Sequence, residues 1–306
     1  MIASLARRVL ASGLVLWGIA TLVFVLLRVL PGNPAEMMLA GSGASPADIA
    51  QLRRELGLDE PLQVQYGRYL VQLLQGDLGR SWFSRQPVAQ VIAQQAAPTL
   101  TLAAAALAVT VLAGLGLGTL AALRAGSWVD WLTMGGAVLG VSTPIFWSGL
   151  LLMWAFSLEL RWLPASGAGG WRNLVMPALV LGLVGAGPLA RLVRTNLLDA
   201  LRADYISVAR AKGLTDRLVV GRHALRNALI PSITMIGLQA GFLLGGTVVT
   251  ETVFARPGLG RLVVDAILSK DLPVVQGVVL LIAAGYVVIN LLVDGAVVML
   301  DPRLRA

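Results

Sequence analysis

Six long apolar runs dominate the chain, at residues 9–27, 100–123, 132–158, 174–189, 232–249 and 274–298. About twenty apolar residues in a helix cross the hydrocarbon of a bilayer. Within that hydrocarbon every peptide group must be paired inside the protein, which a helix achieves by itself. The middles of the runs hold no Asp, Glu, Lys, Arg or His. Composition points the same way. Of 306 residues, 57% are hydrophobic and 13% charged, whereas a soluble domain is about one quarter charged. The expected fold is an all-α membrane protein of six transmembrane helices.

The polar remainder sets the organisation. Arg7 and Arg8 precede the first run, and RVLPGNPAE follows it. A signal peptide has a shorter apolar core and a small-residue cleavage site, so residues 1–30 read as an uncleaved helix entering from the cytoplasm. Residues 31–97 form an extracytoplasmic segment between helices 1 and 2, with two short amphipathic helices. Ser45 caps the first, Pro46 takes its first position, Asp48 supports the cap and Gly57 ends it. The second starts at Pro61, carries Leu62, Tyr66, Tyr69, Leu70 and Leu73 on one side and stops at Gly76. Residues 98–300 make a five-helix core, with a short, kinked fourth run that contains Pro177 and Pro188. Residues 301–306 are a cytoplasmic tail. With the long 31–97 segment discounted, thirteen basic residues fall inside and six outside, so both termini are expected in the cytoplasm. The net charge of +8 then reads as a topology signal rather than a nucleic-acid surface.

Several chemistries are excluded. There is no cysteine, hence no disulfide, thiolate metal site or Cys nucleophile. The one histidine, His223, sits between Arg222 and Arg226 in a basic loop and completes no catalytic arrangement. An intramembrane serine hydrolase would need a base facing its serine inside the membrane. No G-x-x-x-x-G-K-[ST] loop is present, so the chain does not hydrolyse ATP itself. No catalytic residue, metal or cofactor is therefore expected in this chain. Ion-coupled carriers keep an ionisable group at mid-membrane, and these runs have none, so uphill transport would draw its energy from another subunit. Gln239, Asn290, Ser142 and Thr143 are polar groups in or near the runs; they either line a solute path or bond a neighbouring helix. Small residues recur at four-residue spacing as Gly114/Gly118, Gly136/Gly140 and Gly237/Gly241/Gly245. They suit close helix crossings within the chain or, for the triple set above all, between subunits.

The loop between the fourth and fifth runs, 196–231, is both basic and patterned. Residues 196–212 read as one helix with Leu197, Leu198, Leu201, Tyr205, Val208 and Ala209 on a broad face. Gly213 ends it in a left-handed turn. Thr215 caps a second helix bearing Leu218, Val219, Leu225 and Leu229, and Pro231 marks the entry to the fifth run. Tyr205, Ser207, Ala209, Arg210, Lys212, Gly213, Leu214, Arg217 and Arg222 are the candidate docking residues. An apolar ridge with cationic flanks is what a partner groove binds.

This loop resembles the cytoplasmic loop of ABC importer permeases, whose pattern is Glu-Ala-Ala, three residues, Gly. Ser207, Val208 and Ala209 stand in the first three positions and Gly213 in the last, so the final alanine and the glycine match and the Glu is replaced. DYISVARAKGL followed by RHALRNALIP is similar to the dipeptide, oligopeptide, nickel and glutathione branch. So are LPGNPAE, GDLGRS, PTLTL, WLPASG, ETVFARPGLGRL and DPRLR, in that order along nearly the whole chain. The resemblance implies a type I importer permease in a bacterial inner membrane, surrounded by membrane lipid. Its implied partners are a second homologous permease, two ABC ATPases carrying ATP and Mg, and an extracytoplasmic solute-binding protein. The implied function is import of di- or oligopeptides by alternating access, with glutathione or a nickel chelate as the alternative cargo. The 196–231 loop would be its coupling element.

Overall fold

The structure is a computed structural model that describes residues 2–29, 33–39 and 44–300. The DPRLR motif and the 301–306 tail lie outside the described residues, as do the first three residues of LPGNPAE. In chain order the helices are α1 (Ile2–Val29), α2 (Pro34–Leu39), α3 (Pro46–Glu55), α4 (Leu62–Leu74), α5 (Val88–Leu123), α6 (Trp128–Ser142) and α7 (Ile145–Leu152). They continue as α8 (Arg172–Arg202), α9 (Asp204–Ala211), α10 (Asp216–Leu218), α11 (Leu225–Ala228), α12 (Ile230–Val253), α13 (Leu259–Leu268) and α14 (Leu272–Leu300). Two π-helical stretches, Met153–Glu159 and Val219–Ala224, extend α7 and precede α11. Among the described residues the β structure amounts to an isolated bridge, Arg80 to Pro87.

All six predicted runs are helical. Helices α5, α8, α12 and α14 are long and apolar enough to cross a membrane, and α1 carries the apolar stretch Leu10–Leu26. The third run departs from expectation. It is not one span but two pieces, Trp128–Ser142 and Ile145–Glu159, bent by 108°. The cause is Pro144: it lacks an N–H and pushes the preceding residue out of the helical region, and Thr143 is extended at φ −86°, ψ 127°. The fourth run also differs. It is not short, because α8 runs through both Pro177 and Pro188 to Arg202. Buried packing against neighbouring helices lets a membrane helix keep such prolines.

The chain divides into two compact units. The first comprises residues 98–257 and 285–300 of the described chain, with α8 at its centre. A Cβ on Gly182 would lie 2.6 Å from the Ala106 carbonyl oxygen of α5, and one on Gly187 2.6 Å from that of Ala137 on α6. In return, Gly118 of α5 leaves no room beside the Ala190 carbonyl oxygen, 2.6 Å away. Glycine here buys backbone contact that any side chain would prevent. Leu102, Ala106, Ala178, Leu181 and Leu243 close the core between α5, α8 and α12.

The second unit comprises residues 2–97 and 258–284. Its α3 begins as the sequence predicts: the Ser45 hydroxyl accepts from the Asp48 N–H, and an Asp48 carboxylate oxygen accepts from the Ser45 N–H at 2.8 Å. Gly57 and Gly76 end α3 and α4 at φ +66° and +75°. Helix α4 leans on α1 through aromatic contacts of Phe24 with Tyr66 and Tyr69. Val88 and Ile92 of α5 pack on Leu259 and Val263 of α13 and on Val274, Val275 and Val278 of α14. The buried Asp271 carboxylate accepts from the Ser81 hydroxyl at 2.5 Å and the Trp82 N–H at 3.1 Å, pinning the loop before α5.

Candidate functional site

The basic loop is built by short helices that fold back onto the end of α8. Helix α8 stops at Ala203, which is extended (φ −71°, ψ 148°), and α9 restarts with Asp204 in its first turn. The single helix expected over 196–212 is therefore two. An acidic residue favours a helix start, and Asp204 supplied that signal. After α9 the chain turns at Gly213, φ +79°. The Gly213 N–H donates to the Arg210 carbonyl at 2.9 Å and the Leu214 N–H to that of Ala209 at 3.4 Å. This pair of bonds is the Schellman arrangement, which needs a left-handed residue at the position of Gly213. Thr215 does occupy the cap position of α10, but its side chain makes no capping hydrogen bond. The second helix is a short α turn, a π-helical stretch and α11 rather than one regular helix.

The predicted apolar face splits in two. Leu197, Ile206, Ala209, Val219, Ala224 and Ala228 are buried together with Ala122 at the end of α5. Ala209, a candidate docking residue, thus points into the chain's own core. Tyr205, Val208 and Leu218 remain exposed, at 40%, 53% and 42%. Ser207, Arg210, Lys212, Gly213, Arg217 and Arg222 are exposed beside them, and Leu214 is half-buried. The Asn227 amide donates to the Tyr205 hydroxyl at 3.2 Å, and the Asn196 amide to the Ala228 carbonyl at 3.4 Å. Arg210 meets Asp216 across the turn at 3.3 Å. Both are exposed, so that pair adds about 1 kcal/mol at most. The result is an element fixed from within and apolar and cationic without.

A second anchor went unnoticed in the sequence. Asp130, third residue of α6, accepts two hydrogen bonds of 2.6 Å from Arg194 of α8. Its Oδ2 also accepts from the Gly126 N–H at 3.0 Å. The carboxylate is nearly buried, and the guanidinium is 27% exposed. The pair ties the α5–α6 turn to α8 a few residues before the basic loop. The Ser127-x-x-Asp130 spacing was a legible capping signal; the partner 64 residues away was not. At the far end of α12, Glu251 is fully buried and accepts from the Thr99 hydroxyl at 2.6 Å. The sequence reading ended that run two residues earlier.

The solute-path candidates do not form one cluster. Gln239 of α12 donates to the Gly185 carbonyl of α8 at 3.5 Å, the role of a helix-bonding group. The Thr143 hydroxyl donates to the Leu139 carbonyl of its own helix at 2.7 Å. Ser142 is exposed at the break, and Asn290 is half-buried on α14. The triple glycine set divides similarly. A side chain on Gly237 would overlap Val293, and one on Gly241 would come within 2.6 Å of the Tyr286 ring, so both face α14 of the same chain. Gly245 meets nothing within 4 Å. Among the described residues no group of three His, Asp or Glu gathers as a metal site.

Comparison with known proteins gives consistent results. The family described as "Binding-protein-dependent transport system inner membrane component" matches residues 114–306, and its N-terminal companion matches residues 1–103. The glutathione transport system permease protein GsiC of Salmonella paratyphi A is 46% identical over 287 residues, covering 94% of each chain. A protein of Brucella abortus strain 2308, provisionally named a peptide transport system permease protein, is 44% identical and covers 100% of this chain and 99% of its own. Among solved structures, the MetNI methionine ABC transporter in inward-facing conformations aligns with a TM-score of 0.59 at 18% identity, over 69% of this chain and 97% of that one. An amino acid ABC transporter crystallised with histidines gives 0.52 at 17% identity, over 70% and 94%. These two likenesses concern the fold.

Proposed function

The chain belongs to the inner-membrane components of binding-protein-dependent transport systems, and on that premise we propose that it imports di- or oligopeptides by alternating access, driven through its 196–231 loop. It is the transmembrane subunit of an ABC importer with the type I permease fold, a multi-pass inner-membrane protein that works within a transporter complex and is not itself an enzyme. The proposed partners are a second, homologous permease, two ABC ATPases holding ATP and Mg, and a solute-binding protein on the outer side. Both termini face the cytoplasm, which puts the 196–231 loop on the ATPase side.

The observation that carries the coupling role is the outward face around Gly213. Tyr205, Val208 and Leu218 stay exposed although the element has its own buried core. A solvated loop has no reason to keep that apolar surface; a groove in a partner supplies one. Arg210, Lys212, Arg217 and Arg222 surround it and favour an acidic rim on the partner. The inner cluster transmits force: closure of the ATPases pulls on α9 and α11, which are both fastened to α8, and α11 leads directly into α12. The test is purification of the complex with Val208→Asp or with Arg217 and Arg222 changed to Glu. Loss of the co-purifying ATPase supports docking here, and unchanged assembly and uptake rule it out.

Peptide cargo is the first reading and glutathione the second, since relatives at similar identity are named for each; a nickel chelate comes third. Identification of the ligand held by the co-purified binding protein distinguishes them. Ser142, Thr143, Gln239 and Asn290 remain proposed path residues. Substitution of each by Ala should alter uptake without altering assembly if it touches solute.

A further inference from the structure

The last turns of α8, residues 190–197, hold several neighbours at once. Toward α5, a Cβ on Gly118 would lie 2.6 Å from the Ala190 carbonyl oxygen and 2.8 Å from the Val193 Cβ. Toward α6, Arg194 donates from Nε and Nη2 to the two carboxylate oxygens of Asp130, each at 2.6 Å. Toward the basic loop, Leu197 enters the buried cluster with Ile206, Ala209 and Val219, and the Asn196 amide reaches the Ala228 carbonyl just before α12. A displacement of the loop therefore reaches this stretch of α8 first.

Helices α6 and α8 run antiparallel and meet with Gly140 beside Leu183, Ala137 beside Gly187 and Asp130 beside Arg194. The first two meetings are backbone approaches that glycine makes possible. A Cβ on Gly140 would lie 3.7 Å, and one on Gly187 2.6 Å, from the opposing carbonyl oxygen. Such contacts bring helices close but carry no directional bond, and packed helices slide past one another by small shears. The Asp130–Arg194 contact is different in kind. A guanidinium forked onto a carboxylate is directional in two bonds together. Asp130 is held from its own side as well, since its Oδ2 accepts from the Gly126 N–H at 3.0 Å. Its side chain is only 7% exposed, so little water competes for the guanidinium. The pair thus fixes the axial register of α6 against α8.

From Asp130 the helix continues to Ser142, a length of about 18 Å. It ends at the Thr143–Pro144 break, where the chain turns by 108°. Ser142 and Thr143, proposed above as path residues, sit at that end. A helix gripped by Arg194 at its start and bent at its end delivers an axial displacement of α8 to the break.

We propose that Asp130 and Arg194 are a positioning pair: they make α6 follow α8 when the 196–231 loop is displaced, so that ATPase closure is felt at the Thr143–Pro144 break. Neither residue touches solute or ATPase in this role. The inference rests on the coupling role proposed above for the loop.

The test uses the reconstituted transporter complex with loaded binding protein, scored as solute imported per ATP hydrolysed, so that a lower yield of complex does not enter. Arg194→Met should lower that ratio about tenfold, the scale set by loss of a charge-assisted hydrogen bond. Arg194→Lys, which keeps the charge but not the fork, should lower it less. ATPase co-purification should stay at the wild-type level in both, because the outward face of the loop is untouched. The chain has no cysteine of its own, so Asp130→Cys with Arg194→Cys can be joined by a short, reducible bis-thiosulfonate linker, with cysteine-free partner subunits. The unlinked pair should be uncoupled, the linker should restore the ratio without restoring any charge, and reduction should abolish it again. A wild-type ratio in Arg194→Met, whatever its thermal midpoint, or no recovery in the linked pair overturns the proposal and leaves a contact that serves stability alone. The coupling reading fails separately, through unchanged assembly and uptake in Val208→Asp.

Discussion

Gly213 offers a quantitative test of the coupling element because its neighbourhood separates two effects that are normally mixed. Its φ of +79° is left-handed, and a Cβ built there meets nothing within 4 Å. Substitution therefore carries a conformational cost and no steric one. An ordinary L-residue in that region costs roughly 1–2 kcal/mol, which lowers the population of the formed turn about 5- to 30-fold. Asn tolerates the region better than Ala, so Gly213→Asn should lie between wild type and Gly213→Ala although Asn is larger. Proline is worse than either. It fixes φ near −65° and removes the N–H that donates to the Arg210 carbonyl, a cost of about 3 kcal/mol or more. The assay is reconstituted transporter supplied with loaded binding protein, scored as solute imported per ATP hydrolysed. The expected order is Gly, Asn, Ala, then Pro, with Pro uncoupled. An order that follows side-chain size, Ala above Asn, would show that contact volume governs the site and refute the backbone argument. So would normal coupling in the Pro variant.

Other perturbations follow from the same geometry. Arg194→Met should destabilise the complex by about 1–3 kcal/mol, because it leaves the nearly buried Asp130 carboxylate without its charged donor, and Asp130→Asn by less, because Arg194 is partly exposed; the double variant should recover part of the loss, and a double-mutant cycle with no coupling would dissociate the pair from stability. Gly237→Val and Gly241→Val should lower the yield of folded protein, since each drives a side chain into α14, whereas Gly245→Ala should fold normally; equal yields for all three would contradict the packing described. At the start of α3, hydrogen bonds from the Ser45 N–H and hydroxyl hold the Asp48 carboxyl below the ordinary carboxylate value. Its contribution to α3 is thus present above about pH 4 and is lost as pH falls through the lowered value. Amide-exchange protection factors across α3, which correct for the slower intrinsic exchange in acid, should fall in that acid window in wild type and lose this pH dependence in Asp48→Asn.

Local chemistry was the legible part of the sequence. Ser45, Asp48, Gly57, Gly76 and Gly213 each act through neighbours within about five residues, and each sits where its type demands. Length and hydropathy likewise located the six helical runs. What escaped were effects decided at a distance. Nothing near Asp130 announces Arg194, and nothing near Gly237 announces Val293. The same holds for Ala209: periodicity placed it on an apolar face, but only tertiary packing decided whether that face turned inward or out. Pro144 and the Pro177–Pro188 pair show why proline is ambiguous in a membrane sequence. One breaks its helix by 108° and the others do not, because neighbours and the preceding backbone decide how the missing N–H is absorbed.

The break at Thr143–Pro144 also constrains what surrounds it. A helix end and a helix start each leave peptide groups outside the regular ladder, and here both fall midway along residues 128–159. Acyl chains offer such groups nothing, so irregular backbone at membrane depth survives only against protein or water. Val141, Phe146 and Trp147 beside the break are exposed in the isolated chain, so the expectation for this corner at membrane depth is a cover of protein or water rather than acyl chains. That expectation gives the direction in which the wetted interior of the assembled transporter should be sought.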